Sequence, residues 1–77
     1  MGEERYTYEL IELGKKIRLL RERLHITQVD MELKSGVNNA DISRIENGQK
    51  NVEFHTIVKL AEALGVDLIE LFKRDKK

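Results

Sequence analysis

The chain has 77 residues, 14 Lys/Arg against 14 Asp/Glu, and neither cysteine nor proline. That length supports one small domain with a modest core, and the lack of cysteine removes disulfides, thiolate zinc sites and cysteine nucleophiles together. No apolar run is long enough to span a bilayer and no charged-then-apolar signal opens the chain, so a cytoplasmic protein with no membrane partner is expected.

Taken in chain order, the elements read as five helices and no strand, an all-α fold. Residues 1–7 are expected to form a short arm, with Tyr6 and Tyr8 fitting either a loose segment or a packed one. The first helix is predicted over 8–24. Leu10, Leu13, Ile17, Leu20 and Leu24 recur at spacings of three and four, which is one helical face, while Lys15, Arg18 and Glu22 fall away from it. Thr27 is a natural cap for a short second helix ending near Lys34. Gly36 can take the positive φ of a tight turn without a Cβ penalty. A third helix starts from an Asn38 cap and runs to about Glu46. Met31 and Val37 are expected to point inward, as are Ile42 and Ile45.

The fourth helix is predicted over 54–64, with Phe54, Ile57, Val58, Ala61 and Leu64 on its apolar face and Gly65 as its stop. Asp67 is then expected to cap a fifth helix, Glu70 completing an acidic capping box. Leu68, Ile69, Leu71 and Phe72 make that helix apolar over much of its circumference. A charged tail at 73–77 ends in RDKK. No linker or repeat divides the chain, so 1–77 is read as a single domain.

The stretch TQVDMELKSGVNNADISRIENG, from Thr27 to Gly48, joins two short helices through a glycine turn followed by a cap residue, which is the composition of a helix-turn-helix. The second helix of such a motif enters the major groove of DNA. Charge argues the other way. Residues 26–53 hold three cations, Lys34, Arg44 and Lys50, against five acids, Asp30, Glu32, Asp41, Glu46 and Glu53. DNA affinity draws on phosphate neutralisation, so these charges must be segregated on the surface or supplemented by dimerisation. His25 and His55 are far apart in sequence and lack the partners of a metal or acid–base site. No nucleophile–base pair, metal set or phosphate loop is visible, so no enzyme, cofactor, metal or small-molecule ligand is expected.

Five separated signals together resemble the helix-turn-helix family of phage repressors, Cro proteins and XRE-type regulators. They are LGKKIRLLRE, the TQ opening the second helix, SGV in the turn, ISRIENG, and LAEALGVDLIELF. The resemblance covers about 13–72 and implies a compact five-helix, lambda-repressor-like domain. Within the family, that form resembles the controller proteins of restriction-modification systems, and other small XRE regulators and some antitoxins share it.

What the resemblance implies for individual residues is specific. Gln28 would bond a phosphate beside the positive helix end. Asn38, Asn39, Ala40, Asp41 and Arg44 would occupy the exposed positions of the recognition helix. Asn39 suits adenine, Arg44 suits guanine, and Ala40 could touch only a thymine methyl. Asp41 would orient Arg44 or accept from a cytosine amino group. Asn47, Gln49 and Lys50 would contact the DNA backbone, with Asn51 a further candidate. Asn38 is equally suited to capping and to phosphate contact, and the run Lys15, Lys16, Arg18 reads as a solvated face. Arg21 and Glu46 would form a structural ion pair. Val58, Leu68, Ile69, Leu71 and Phe72 would form a dimer interface.

Three positions depart from the family pattern. Glu32 replaces a small alanine, so its carboxylate must bend outward or find a cation. Ala40 is short, and Glu53 stands where Ser or Thr would cap the fourth helix. Two functions follow. The first is a sequence-specific transcription regulator binding double-stranded DNA at a palindromic operator as a homodimer, with a restriction-modification controller as its most specific form. The alternative is an antitoxin or protein-interaction module that keeps the fold with weak DNA binding or none, which suits the acidic motif half.

Overall fold

The computed structural model describes residues 2–74, which form four α-helices and a terminal 3-10 helix with no strand among them. The helices are α1 (Gly2–Arg23), α2 (Gln28–Ser35), α3 (Asn39–Glu46) and α4 (Phe54–Leu64), and the 3-10 helix is Leu68–Phe72. The fold is all-α, with the helix-turn-helix at α2 and α3. Of the expected tail, residues 75–77 lie outside the described part.

Local chemistry sets the boundaries. α1 starts well before the expected position, so residues 2–7 are helical and not a loose arm. Glu3 and Glu4 lie in its first turn and Arg21 and Arg23 in its last, each matching the helix dipole. Tyr6 and Tyr8 lie exposed on this extension. Arg74 sits over the Tyr8 ring, 5.6 Å from its centroid, and pairs with Glu9. α1 ends where His25 adopts a left-handed φ of 58°, leaving Leu24 beyond the helix and exposed, not on its apolar face.

α2 opens with a reciprocal capping box. The Thr27 hydroxyl accepts the Asp30 N–H at 3.0 Å, and the Asp30 carboxylate accepts the Thr27 N–H at 2.8 Å. Gly36 closes α2 at φ 79°, and Asn38 caps α3 by accepting the Ala40 N–H at 2.8 Å. α4 runs as expected to Gly65, but Glu53 makes no side-chain cap bond and Phe54 points outward instead of joining the core.

The expected fifth α-helix is instead a five-residue 3-10 helix, and its capping box is absent. Glu70 pairs with Lys73 at 2.9 Å, while its own N–H donates to the Asp67 carbonyl at 2.9 Å. So short a segment satisfies its backbone through the tighter three-residue turn.

One core joins every element. Leu13 and Ile17 from α1, Met31 from α2, Ile42 and Ile45 from α3, and Leu60 and Leu64 from α4 meet Leu71 of the 3-10 helix. The approach of α1 to α3 depends on Gly14. A Cβ there would lie 2.2 Å from the Ile45 carbonyl oxygen and 2.7 Å from that of Glu46. This close crossing brings the end of α3 against α1, within reach of Arg21.

Candidate nucleic-acid interface

The motif is anchored by a buried bidentate ion pair. Arg21 Nε donates to Glu46 Oε2 at 2.7 Å and Nη2 donates to Glu46 Oε1 at 3.0 Å. Its Nη1 donates to the Ile26 carbonyl at 2.8 Å, which ties down the loop before α2. The hydrogen bonds from Arg21 to Glu46 raise the guanidinium pKa above its ordinary value, against the opposing effect of burial. Gln28, the first residue of α2, donates from Nε2 to Glu46 Oε1 at 3.1 Å. One carboxylate therefore holds α1, α2 and α3 in register, and both residues of the pair are buried.

The remaining acids of the motif half are placed in ways that composition alone conceals. Asp30 is held in the capping box. Its carboxyl lies below the usual carboxylate range, chiefly because it accepts the Thr27 N–H. Asp41 accepts from Arg44 Nη1 at 2.9 Å and lies 3.9 Å from Lys50 Nζ. Glu32 neither bends outward nor pairs with a cation. Its Oε1 accepts the Asn39 backbone N–H at 3.2 Å and Asn39 Nδ2 at 2.5 Å, so it reaches across the turn and caps α3. Four of the five acids thus have defined partners, and Glu53 is exposed.

The residues expected to face DNA fall into two groups. Asn38 is exposed as the cap of α3, Ala40 and Arg44 are exposed on the helix, and Asn47 and Gln49 are exposed just after it. Asn39, Asp41, Lys50 and Gln28 are half-buried. Asn39 and Gln28 line one open cleft together with Arg21, and Asp41 and Lys50 line another with Asn51. The oxygen of Asn38 is engaged by the Ala40 N–H, the cap role among its two expected ones.

The expected interface residues separate by direction. Leu71 is fully buried in the chain's own core, so it has no surface for a partner. Val58 and Leu68 are half-buried, whereas Ile69 and Phe72 are exposed. Phe54, not singled out from sequence for this role, exposes 64% of its surface. Sequence reasoning also missed the role of Glu32 as partner of Asn39 and the packing role of Gly14. Glu32 lies seven residues from Asn39 and on a different helix, so their contact follows from how α2 and α3 meet across the turn and not from helical periodicity. Among the described residues, no group of His, Asp or Glu could hold a metal ion, and no helix is long and apolar enough to cross a membrane.

A family model described as Helix-turn-helix matches residues 17–71. The HTH-type transcriptional repressor RghR of Bacillus subtilis is 48% identical over 54 residues, which is 69% of this chain but only 40% of RghR. Control protein C.MunI of Mycoplasma sp. is 32% identical over 68 residues, covering 87% of this chain and 92% of that protein. Among solved structures, the restriction-modification controller protein C.AhdI from Aeromonas hydrophila superposes with a TM-score of 0.82 and 34% identity. That match covers 84% of this chain and 98% of C.AhdI.

Proposed function

This chain belongs to the helix-turn-helix family of XRE-type, DNA-binding regulators, and we propose that it is a sequence-specific transcription regulator acting as a homodimer on a palindromic operator. Its most specific form is a restriction-modification controller, because the match to two controller proteins spans nearly their whole length. What supports this function most is where the motif's acids are placed. Glu46 is buried against Arg21 and Gln28, Asp30 and Glu32 are spent on helix starts, and Asp41 faces Arg44. Two of the five acids thus face cations and two lie at helix N-termini, whose positive ends offset part of their charge, so the acidic balance that favoured a protein-binding module counts for less.

In this reading α3 lies in the major groove and the start of α2 meets the backbone. Gln28, whose Nε2 keeps a second hydrogen beyond its bond to Glu46, offers an amide donor to a phosphate at the start of α2. Arg44, held by Asp41, presents its guanidinium fork to guanine O6 and N7. Asn39 meets an adjacent base, Ala40 a thymine methyl, and Asn47, Gln49 and Lys50 the following phosphates. Val58, Leu68, Ile69 and Phe72, joined by Phe54, supply apolar surface for a second copy.

The test is a set of affinities for an operator and its single-base variants at one fixed salt concentration. Arg44→Ala is expected to weaken specific binding by about 1–3 kcal/mol and to relax preference at one base pair of each half-site. Gln28→Ala is expected to weaken binding to all sequences alike. A uniform loss in Arg44→Ala would make Arg44 a phosphate contact.

A further inference from the structure

Glu32 reaches from α2 to the first residue of α3 and holds that residue twice, by its backbone N–H and by its side-chain Nδ2. A carboxylate carries no donor, so only the amino end of the Asn39 amide can face it. The reversed amide would set Oδ1 against Oε1, acceptor against acceptor. An exposed asparagine ordinarily presents either end. Here the choice is removed, and Oδ1 is the end left for a ligand, beside the cleft that Asn39 shares with Gln28.

We propose that Glu32 is a positioning residue for sequence recognition. By fixing the Asn39 amide with Oδ1 outward, it makes the start of α3 a reader of exocyclic amino groups. The proposal rests on the DNA-binding reading above. Adenine and cytosine present amino groups in the major groove, while guanine O6 and thymine O4 are acceptors. An amide free to turn satisfies either kind of base. A fixed one disfavours guanine, because Nδ2 on guanine N7 leaves Oδ1 against O6, acceptor against acceptor, and turning the amide to relieve this puts Oδ1 on the Glu32 carboxylate; thymine offers Oδ1 no donor. Nδ2 keeps a second hydrogen for adenine N7, so adenine is favoured over cytosine.

The experiment measures affinities of the full chain for duplexes carrying each base pair at the position where Asn39→Ala changes preference, at one salt concentration. Glu32→Gln keeps an oxygen that can accept the Asn39 backbone N–H and adds an amino group that can face Oδ1. The cap therefore survives while the amide is freed. The wild type is expected to favour adenine over guanine by about tenfold or more, and Glu32→Gln to bring that ratio within about threefold. Glu32→Ala, which frees the amide without a new polar group, is expected to do the same. The double variant Glu32→Gln/Asn39→Ala is expected to change the ratio no further than Asn39→Ala alone. Ratios unchanged in both Glu32 variants, with affinity altered uniformly, would reduce Glu32 to a cap and overturn the proposal alone. A wild type that selects no duplex would overturn the DNA-binding reading and the proposal with it.

Discussion

At the scale of single residues, the molecule turns on Glu46. It lies in α3, where a free carboxylate would repel phosphate, yet it is buried against Arg21, and Gln28 shares its Oε1 with Arg21 Nη2. A buried pair contributes little net stability when intact, but its disruption strands a charge. Arg21→Ala is therefore expected to lower the unfolding free energy by about 3 kcal/mol, measured from the chemical-denaturation midpoint. Arg21→Lys is expected to recover only part of that loss, because an ammonium cannot reproduce the two-pronged contact or the third bond to Ile26. An unchanged midpoint in Arg21→Ala would mean the pair does not hold the three helices together.

At the scale of elements, α2 is fastened by a side-chain reciprocity that titrates. The Asp30 carboxyl is depressed in the folded chain, so its contribution is present above the ordinary carboxylate value of 3.8 and is lost as pH falls through the lower folded value. Asp30→Asn is accordingly expected to be less stable than wild type at neutral pH, with the difference closing in acid below that value. Parallel denaturation curves at the two pH values check this, and a gap that persists in acid would contradict it. The motif helices were legible in the sequence because their ends carry capping chemistry: Thr27, Gly36, Asn38 and Gly65 each mark a boundary found in the structure. The start of α1 was not legible, because residues 2–7 show no apolar periodicity and extend the helix past the core. Its end was legible to within one residue, although a histidine and not a glycine takes the left-handed turn that follows. The last element looked α-helical from composition, but only five residues remain between Asp67 and Lys73. Of the candidate site, exposed positions followed from motif spacing, whereas the Glu32–Asn39 contact depends on how two helices meet across a turn.

For the molecule as a whole, net charge zero is compatible with DNA binding because the motif's acids are segregated: Glu46 is buried against Arg21, Asp41 faces Arg44, and Asp30 and Glu32 are held at helix starts. In the proposed homodimer a second copy would double the cations at the DNA and engage two half-sites related by the dimer's twofold axis. The apolar surface for that association lies outside the core, with Ile69 63% and Phe72 47% exposed, while Leu71 beneath them belongs to the protomer. Ile69→Asp is expected to yield a monomer at micromolar concentration by sedimentation while keeping its helical circular dichroism, and wild type to sediment as a dimer. A wild-type monomer persisting to high micromolar concentration would remove this interface. Sequence-specific dimeric binding is tested by selection of bound sequences from random duplex DNA by the full chain. Enrichment of an inverted repeat whose half-site centres lie about one helical turn, roughly 10 base pairs, apart is expected. Enrichment of no sequence, or binding that is uniform across duplexes and vanishes with modest salt, would contradict it.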